Sequence, residues 1–96
     1  MSSKFLGLVL ETFTMGNKLR VLVIDGDCSK DLKYGKSIEV HFASGSKTKV
    51  VVFDGFLQSA EKFHSATSNQ VSSLSAENLN FPEYKEIIGA KVYLAD

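Results

Sequence analysis

Three stretches of this 96-residue chain, and two histidines outside the first two, hold residue types that could do chemistry. Gly45-Ser46-Lys47-Thr48 has the ingredients of a phosphate-binding loop. That loop needs Gly-Lys-Ser/Thr in contact, a second glycine five residues earlier and a helix behind it. Here Ser46 intervenes, Val40 stands where the second glycine belongs, and a strand pattern follows. Asp25, Asp27, Ser29 and Asp31 put oxygens at alternate positions, as a calcium loop does. The sixth and twelfth places of such a loop, a glycine and a glutamate, are Lys30 and Lys36 here, and two lysines repel a cation. Cys28 sits in the same stretch, without a strand–loop–helix pattern that would lower its pKa. His41 and His64 follow no metal-ligand spacing and make no pair with Cys28. The sequence therefore assigns no catalytic, metal or cofactor residue, and the expectation is a binding module rather than an enzyme.

The third stretch is basic. Lys30, Lys33, Lys36, Lys47 and Lys49 cluster in mid-sequence with Tyr34, His41 and Phe53. Lysines interleaved with aromatic rings are what sequence-tolerant single-strand binders use. Lys33, Tyr34, Lys36, Lys47 and Lys49 are the candidate nucleic-acid contacts. The whole chain argues the other way. Lys+Arg and Asp+Glu both number 11, whereas a phosphate-neutralising protein carries a basic surplus. Lysines near strand ends also guard sheet edges against aggregation. Nucleic acid is a partner the sequence allows but does not favour.

These residues need elements to hold them, and the elements read as strands of one domain over 1–96. Ser37 to Ala43 alternates cleanly, with Ile38, Val40 and Phe42 on one face. Ser44-Gly45-Ser46 turns it into a strand over Lys47 to Phe53, which places Phe42 and Val52 in the core. Phe5 to Thr14 and Leu19 to Ile24 form a first hairpin around Gly16-Asn17. Beyond Gln58 the composition turns to Ser, Asn, Ala, Glu and Lys. Leu57, Ala60, Phe63, Ala66 and Thr67 have helical spacing, so a short helix or irregular segment is expected around 57–67. Val71 to Leu74 reads as a short strand, residues 75–86 as a connection containing Pro82, and Ala90 to Leu94 as a closing strand. The expected fold is mainly β, a small six-stranded closed barrel.

The first hairpin has more apolar side chains than one buried face can take. Leu6, Leu8, Leu10, Leu22 and Ile24 are the candidate interaction surface. Their cover is either a protein partner, including a second copy in a homodimer, or the 57–67 segment through Leu57, Phe63 and Ala66. A single cysteine suits a reducing compartment. No apolar run approaches the ~20 residues of a membrane span, and a cytoplasmic location without membrane partner is expected.

The order of these motifs resembles the β-barrel that follows the GTP-binding domain in translation GTPases, the elongation-factor domain 2 type. The stretch Leu32-Lys33-Tyr34-Gly35-Lys36-Ser37-Ile38-Glu39-Val40 is similar to that family's "leu-lys-x-gly-asp-x-val". Ile88-Gly89-Ala90-Lys91-Val92 is similar to its closing "ile-x-x-gly-x-val-leu". The opening hairpin, with Gly16-Asn17 and Leu19 to Gly26, and Thr48-Lys49-Val50 fall in the matching order. Val21 stands where the family has glycine, and the stretch 65–80 replaces its "ala-gly-asp" turn. The resemblance implies a closed six-stranded barrel without GTP hydrolysis. Barrels of that family contact neighbouring domains, ribosomal RNA or charged tRNA, and no contact residue can be matched here.

Overall fold

A computed structural model describes residues 4–95. Six strands form a closed antiparallel barrel: β1 (Lys4–Met15), β2 (Leu19–Asp25), β3 (Ser37–His41), β4 (Lys47–Ser59), β5 (Gln70–Glu77) and β6 (Lys91–Leu94). Their order around the barrel is β1-β2-β5-β4-β3-β6. Single 3₁₀ turns lie at Ser29–Asp31 and Ala60–Lys62, and one helical turn, α1, spans Tyr84–Ile87. The alternation in β3 points Ile38, Val40 and Phe42 inward, and Val50 and Val52 of β4 join them in the core. The Ser44–Ser46 turn is closed by the Phe42 N–H on the Ser46 carbonyl at 2.9 Å.

The first hairpin departs from simple alternation. β1 slips register between Phe5 and Gly7 against β6, and between Val9 and Glu11 against β2. Each bulge adds one residue and reverses which parity faces inward. The buried positions become Leu6, Val9 and Thr12, three apart instead of two. Gly7 occupies the first bulge at φ +153°, and a Cβ there would lie 2.8 Å from Ile24 Cγ2. On β2, Leu22 and Ile24 fill the barrel while Val21 and Val23 turn outward and are buried as well.

This corrects the interaction surface expected from the sequence. Leu6, Leu22 and Ile24 belong to the interior core, because the bulges and the Val9–Ile24 pairing turn them inward. Leu10, in the second bulge, packs outside the barrel with Phe63 and Ala66 against Val23, Ala60 and Val71. Of the five, only Leu8 remains exposed, at 41%. The outer face of the hairpin around Leu10 and Val23 is thus covered from within the chain, by the segment after β4, while Phe5, Leu8, Phe13 and Met15 stay exposed. Phe63 and Ala66 do the covering, whereas Leu57 is exposed.

That segment is a strap rather than a helix. β4 runs six residues beyond Phe53, to Ser59, and a single 3₁₀ turn follows. The strap is pinned at both ends. The Ala60 N–H donates to the Asn69 carbonyl at 3.0 Å. Asp25 accepts from the Thr67 and Ser68 N–H groups and from Thr67 Oγ1, the last at 2.7 Å. At the opposite mouth Arg20 Nη1 donates to Thr12 Oγ1, Arg20 Nε donates to Asn78 Oδ1, and the guanidinium lies 5.4 Å from the Phe81 ring centre. Phe81 meets the core residue Phe42 edge-on at 6.3 Å. The connection read over 75–86 is shorter than expected, since β5 extends to Glu77 and α1 buries Ile87.

Candidate interaction surfaces

The acidic loop disperses its carboxylates. Asp25 holds the strap, Asp27 accepts from Ser29, and Asp31 pairs with Lys4 Nζ at 3.0 Å. No group of three His, Cys, Asp or Glu side chains converges among the described residues. Cys28 is buried, and its N–H donates to Ser72 Oγ, which itself donates to the Gly26 carbonyl. Burial pushes the Cys28 thiol above its ordinary pKa, and the nearby Asp31 and Asp27 add to the effect. A thiol held neutral and enclosed is a poor nucleophile.

The lysine cluster divides in two. Lys33, Tyr34 and Lys36 form an exposed turn ahead of β3, closed by the Lys36 N–H on the Lys33 carbonyl. Lys47 and Lys49 stand on the outer face of β4, paired across from His41 and Glu39. The far side of β3 pairs with β6, which places Lys91 beside His41 and Tyr93 beside Glu39. Phe5 of β1 follows next to Tyr93. One continuous outer face therefore carries Lys47, Lys49 and Lys91 around a line of rings: His41 lies 4.7 Å from Tyr93, and Tyr93 lies 5.4 Å from Phe5. Its carboxylate, Glu39, accepts from His41 Nε2 at 3.0 Å. That hydrogen bond, with Lys47 and Lys49 adding to it, holds the Glu39 carboxyl below its ordinary pKa. Phe5, Lys91 and Tyr93 were missed from the sequence, because only the non-local β3–β6 register brings them to His41.

A second surface lies where β4 changes partner. Residues Lys47–Val51 pair with β3, and pairing with β5 begins at Val52. The β4–β5 ladder slips between Val52 and Asp54 and leaves Phe53 in the bulge. Phe53 and Glu77 separate two adjoining depressions. One, of about 640 Å³, is walled by Met15, Leu19 and the Gly16–Lys18 turn. The other, of about 190 Å³, runs beside Lys49, Val50 and Val51 to Leu79 and Asn80. Four apolar side chains around this groove are exposed: Met15 by 49%, Val51 by 47%, Phe53 by 39% and Leu79 by 55%. Scattered single residues of this kind are ordinary, but a contiguous set marks an interaction site.

No helix among the described residues is long and apolar enough to cross a membrane. Comparison of the chain with protein-family models, with curated proteins and with solved structures finds no match.

Proposed function

We propose that the chain is a non-catalytic binding module that docks a protein partner through the groove around Phe53. The observation supporting this reading is the contiguous exposure of Met15, Val51, Phe53 and Leu79 along two adjoining depressions. Water around such a patch is released when a partner covers it, and this is the main driving force for association. Leu6, Leu22 and Ile24 of the first hairpin carry no part of this reading, since they lie in the core, and Leu10 lies against the strap. The resemblance to the translation-GTPase barrel belongs to the same proposal, as does a reducing, cytoplasmic setting suited to a single thiol.

The test compares the wild type with a Phe53→Glu, Leu79→Glu double variant. Both positions are exposed, so the variant should fold, with each change costing within about 0.5 kcal/mol. Each form is immobilised and challenged with nuclease-treated lysate of the source cells. A protein retained by the wild type, and bound at least about tenfold more weakly by the variant in a purified titration, supports the reading. Equal retention by both forms overturns it.

A second reading has its own observation, the Phe5–Tyr93–His41 line of rings flanked by Lys47, Lys49 and Lys91. Zero net charge conceals this local basic face, whose one carboxylate is engaged by His41. Such a face suits a single strand of RNA, whose bases stack on rings while phosphates meet lysines. Three phosphate contacts predict a slope of roughly −2 in log K against log salt. The affinity expected is near the non-specific range, about 10⁻⁶ M at physiological salt. Binding that ignores salt, or that survives Lys47→Glu with Lys49→Glu, would remove this reading.

A further inference from the structure

We propose that the groove takes an extended acidic segment of a protein partner as an added strand on the free edge of β4 at Lys47–Val51. This inference rests on the protein-docking reading and names the form its partner takes. Closure of the barrel does not close every edge. In β4 the Val52 N–H donates to the Lys36 carbonyl at 2.8 Å, and the Val52 carbonyl accepts from the Gly35 N–H. Backbone groups alternate sides along a strand. Thr48, Val50 and Val52 therefore aim at β3, and Lys47, Lys49 and Val51 aim the other way. On that side β5 would be the neighbour, but its pairing with β4 stops at Ala76, opposite Val52.

The chain itself prevents β5 from continuing. The Asn78 N–H donates to the Lys18 carbonyl, across the other neighbour. Asn80 takes a left-handed backbone at φ 63°, and Pro82 lacks an N–H. Leu79 and Asn80 stand off from Lys49–Val51, with the smaller depression between them. The outward N–H and C=O groups of Lys47 and Lys49, with the Val51 N–H, are thus left beside a partly apolar groove, the arrangement that strand addition uses.

The side chains specify the occupant. Lys47 and Lys49 are exposed on the strand that carries the free edge, and neither forms an ion pair among the described residues. Two such edges from copies of this chain would set lysine against lysine, and like charges directly opposite are destabilising. The same lysines favour carboxylates on an incoming strand. At the other end Val51, Phe53 and Leu79 offer apolar contact, and Glu77 between the two depressions disfavours a carboxylate there, so acidic side chains are confined to the Lys47–Lys49 end. The matching segment alternates, with acidic side chains beside Lys47 and Lys49 and an apolar one reaching Phe53.

The experiment follows amide hydrogen exchange by NMR on the full chain. The probe is a soluble decapeptide alternating glutamate with valine and capped at both ends, used at millimolar concentration. Exchange at Lys47, Lys49 and Val51 should slow at least about tenfold, while Thr48 and Val50 stay unchanged. The same peptide N-methylated at alternate residues should give no protection from at least one of its two methylation patterns. Absence of slowing at Lys49 and Val51 overturns strand addition, and so do shifts confined to Met15, Leu19 and Phe53. Equal protection by a lysine–valine peptide overturns the acidic specificity. Protection that grows with protein concentration and no peptide makes a second copy the occupant and overturns the proposal, as does protection by an oligonucleotide alone. Capture of a protein that the Phe53→Glu, Leu79→Glu variant loses stands or falls separately, so failure here is distinguishable from failure of the docking reading.

Discussion

The backbone of Leu32 occupies the place where a side chain on Gly55 would begin. A Cβ built on Gly55 overlaps the Leu32 carbonyl oxygen and meets Leu32 Cβ at 2.5 Å. Gly55 lies on β4 opposite the buried Leu74, so the loop carrying the Ser29–Asp31 turn crosses the strand here at backbone contact. The obstacle is main chain and cannot swing aside. Gly55→Ala should therefore cost about 1–3 kcal/mol, in the manner of other overpacked sites. A urea midpoint equal to wild type would show that the loop can retreat without loss.

The first hairpin gives a contrast between neighbours in sequence. Leu8 is exposed, and Leu8→Asp should leave a folded protein within about 0.5 kcal/mol of wild type. Ile24 and Phe42 are core residues. Ile24→Ala should cost about 2–5 kcal/mol and Phe42→Ala about 3–5 kcal/mol. Denaturant melts of the three variants test the inward and outward assignment directly. Unfolding by Leu8→Asp would mean that its face is covered in solution.

Acid should loosen the strap. Burial alone would raise the Asp25 carboxyl, but the hydrogen bonds from Thr67 and Ser68 outweigh it and hold the group below its ordinary pKa. A depressed carboxyl contributes stability that is complete above its unfolded value, near 4, and is lost as pH falls through its folded value. The difference in urea midpoint between wild type and Asp25→Ala should thus be largest at neutral pH and shrink below about pH 4. A difference that is constant down to pH 2 would separate the strap's anchoring from this carboxylate.

Cys28 offers a built-in reporter of opening. Its thiol is buried and shifted upward by that burial. Labelling by an aromatic disulfide reagent at pH 8 should be slower than in denaturant by a factor on the order of 10² or more, set by the free energy of local opening. Fast labelling in the native protein would place the Gly26–Cys28 segment among the frayed parts of the fold.

Much of the barrel could be read from local pattern, and the exceptions have physical causes. Ile38, Val40 and Phe42 alternate because β3 has one wet face and one dry face. β1 hides its alternation behind two bulges, and nothing in Phe5-Leu6-Gly7-Leu8-Val9-Leu10 announces which residue is extra. The alternating pattern reads as a strand only from Lys47 to Phe53, whereas β4 runs on to Ser59 through Gly55, whose missing side chain lets Leu32 pass. The surplus of apolar residues in the hairpin was visible and so was the strap as its cover, but the choice between that and a partner needed the fold. The candidate surfaces were half legible. Lys47, Lys49 and His41 lie on one hairpin, whereas Lys91, Tyr93 and Phe5 reach them only through pairings between distant strands. The free edge of β4 leaves no trace in composition at all.

The seam between β1 and β6 has a consequence for how the chain is made. Lys4 pairs with Leu94, about ninety positions later, and strands between them cannot form a closed ring before β6 exists. Synthesis at ~5–20 residues per second leaves β1 waiting several seconds for its partner. During that interval Leu6 and Val9 have no barrel to enter. Non-local pairing of this kind also slows folding once the strand has arrived. Gly7, a residue that weakens a strand interior, makes the waiting β1 edge a poorer template for pairing with another chain.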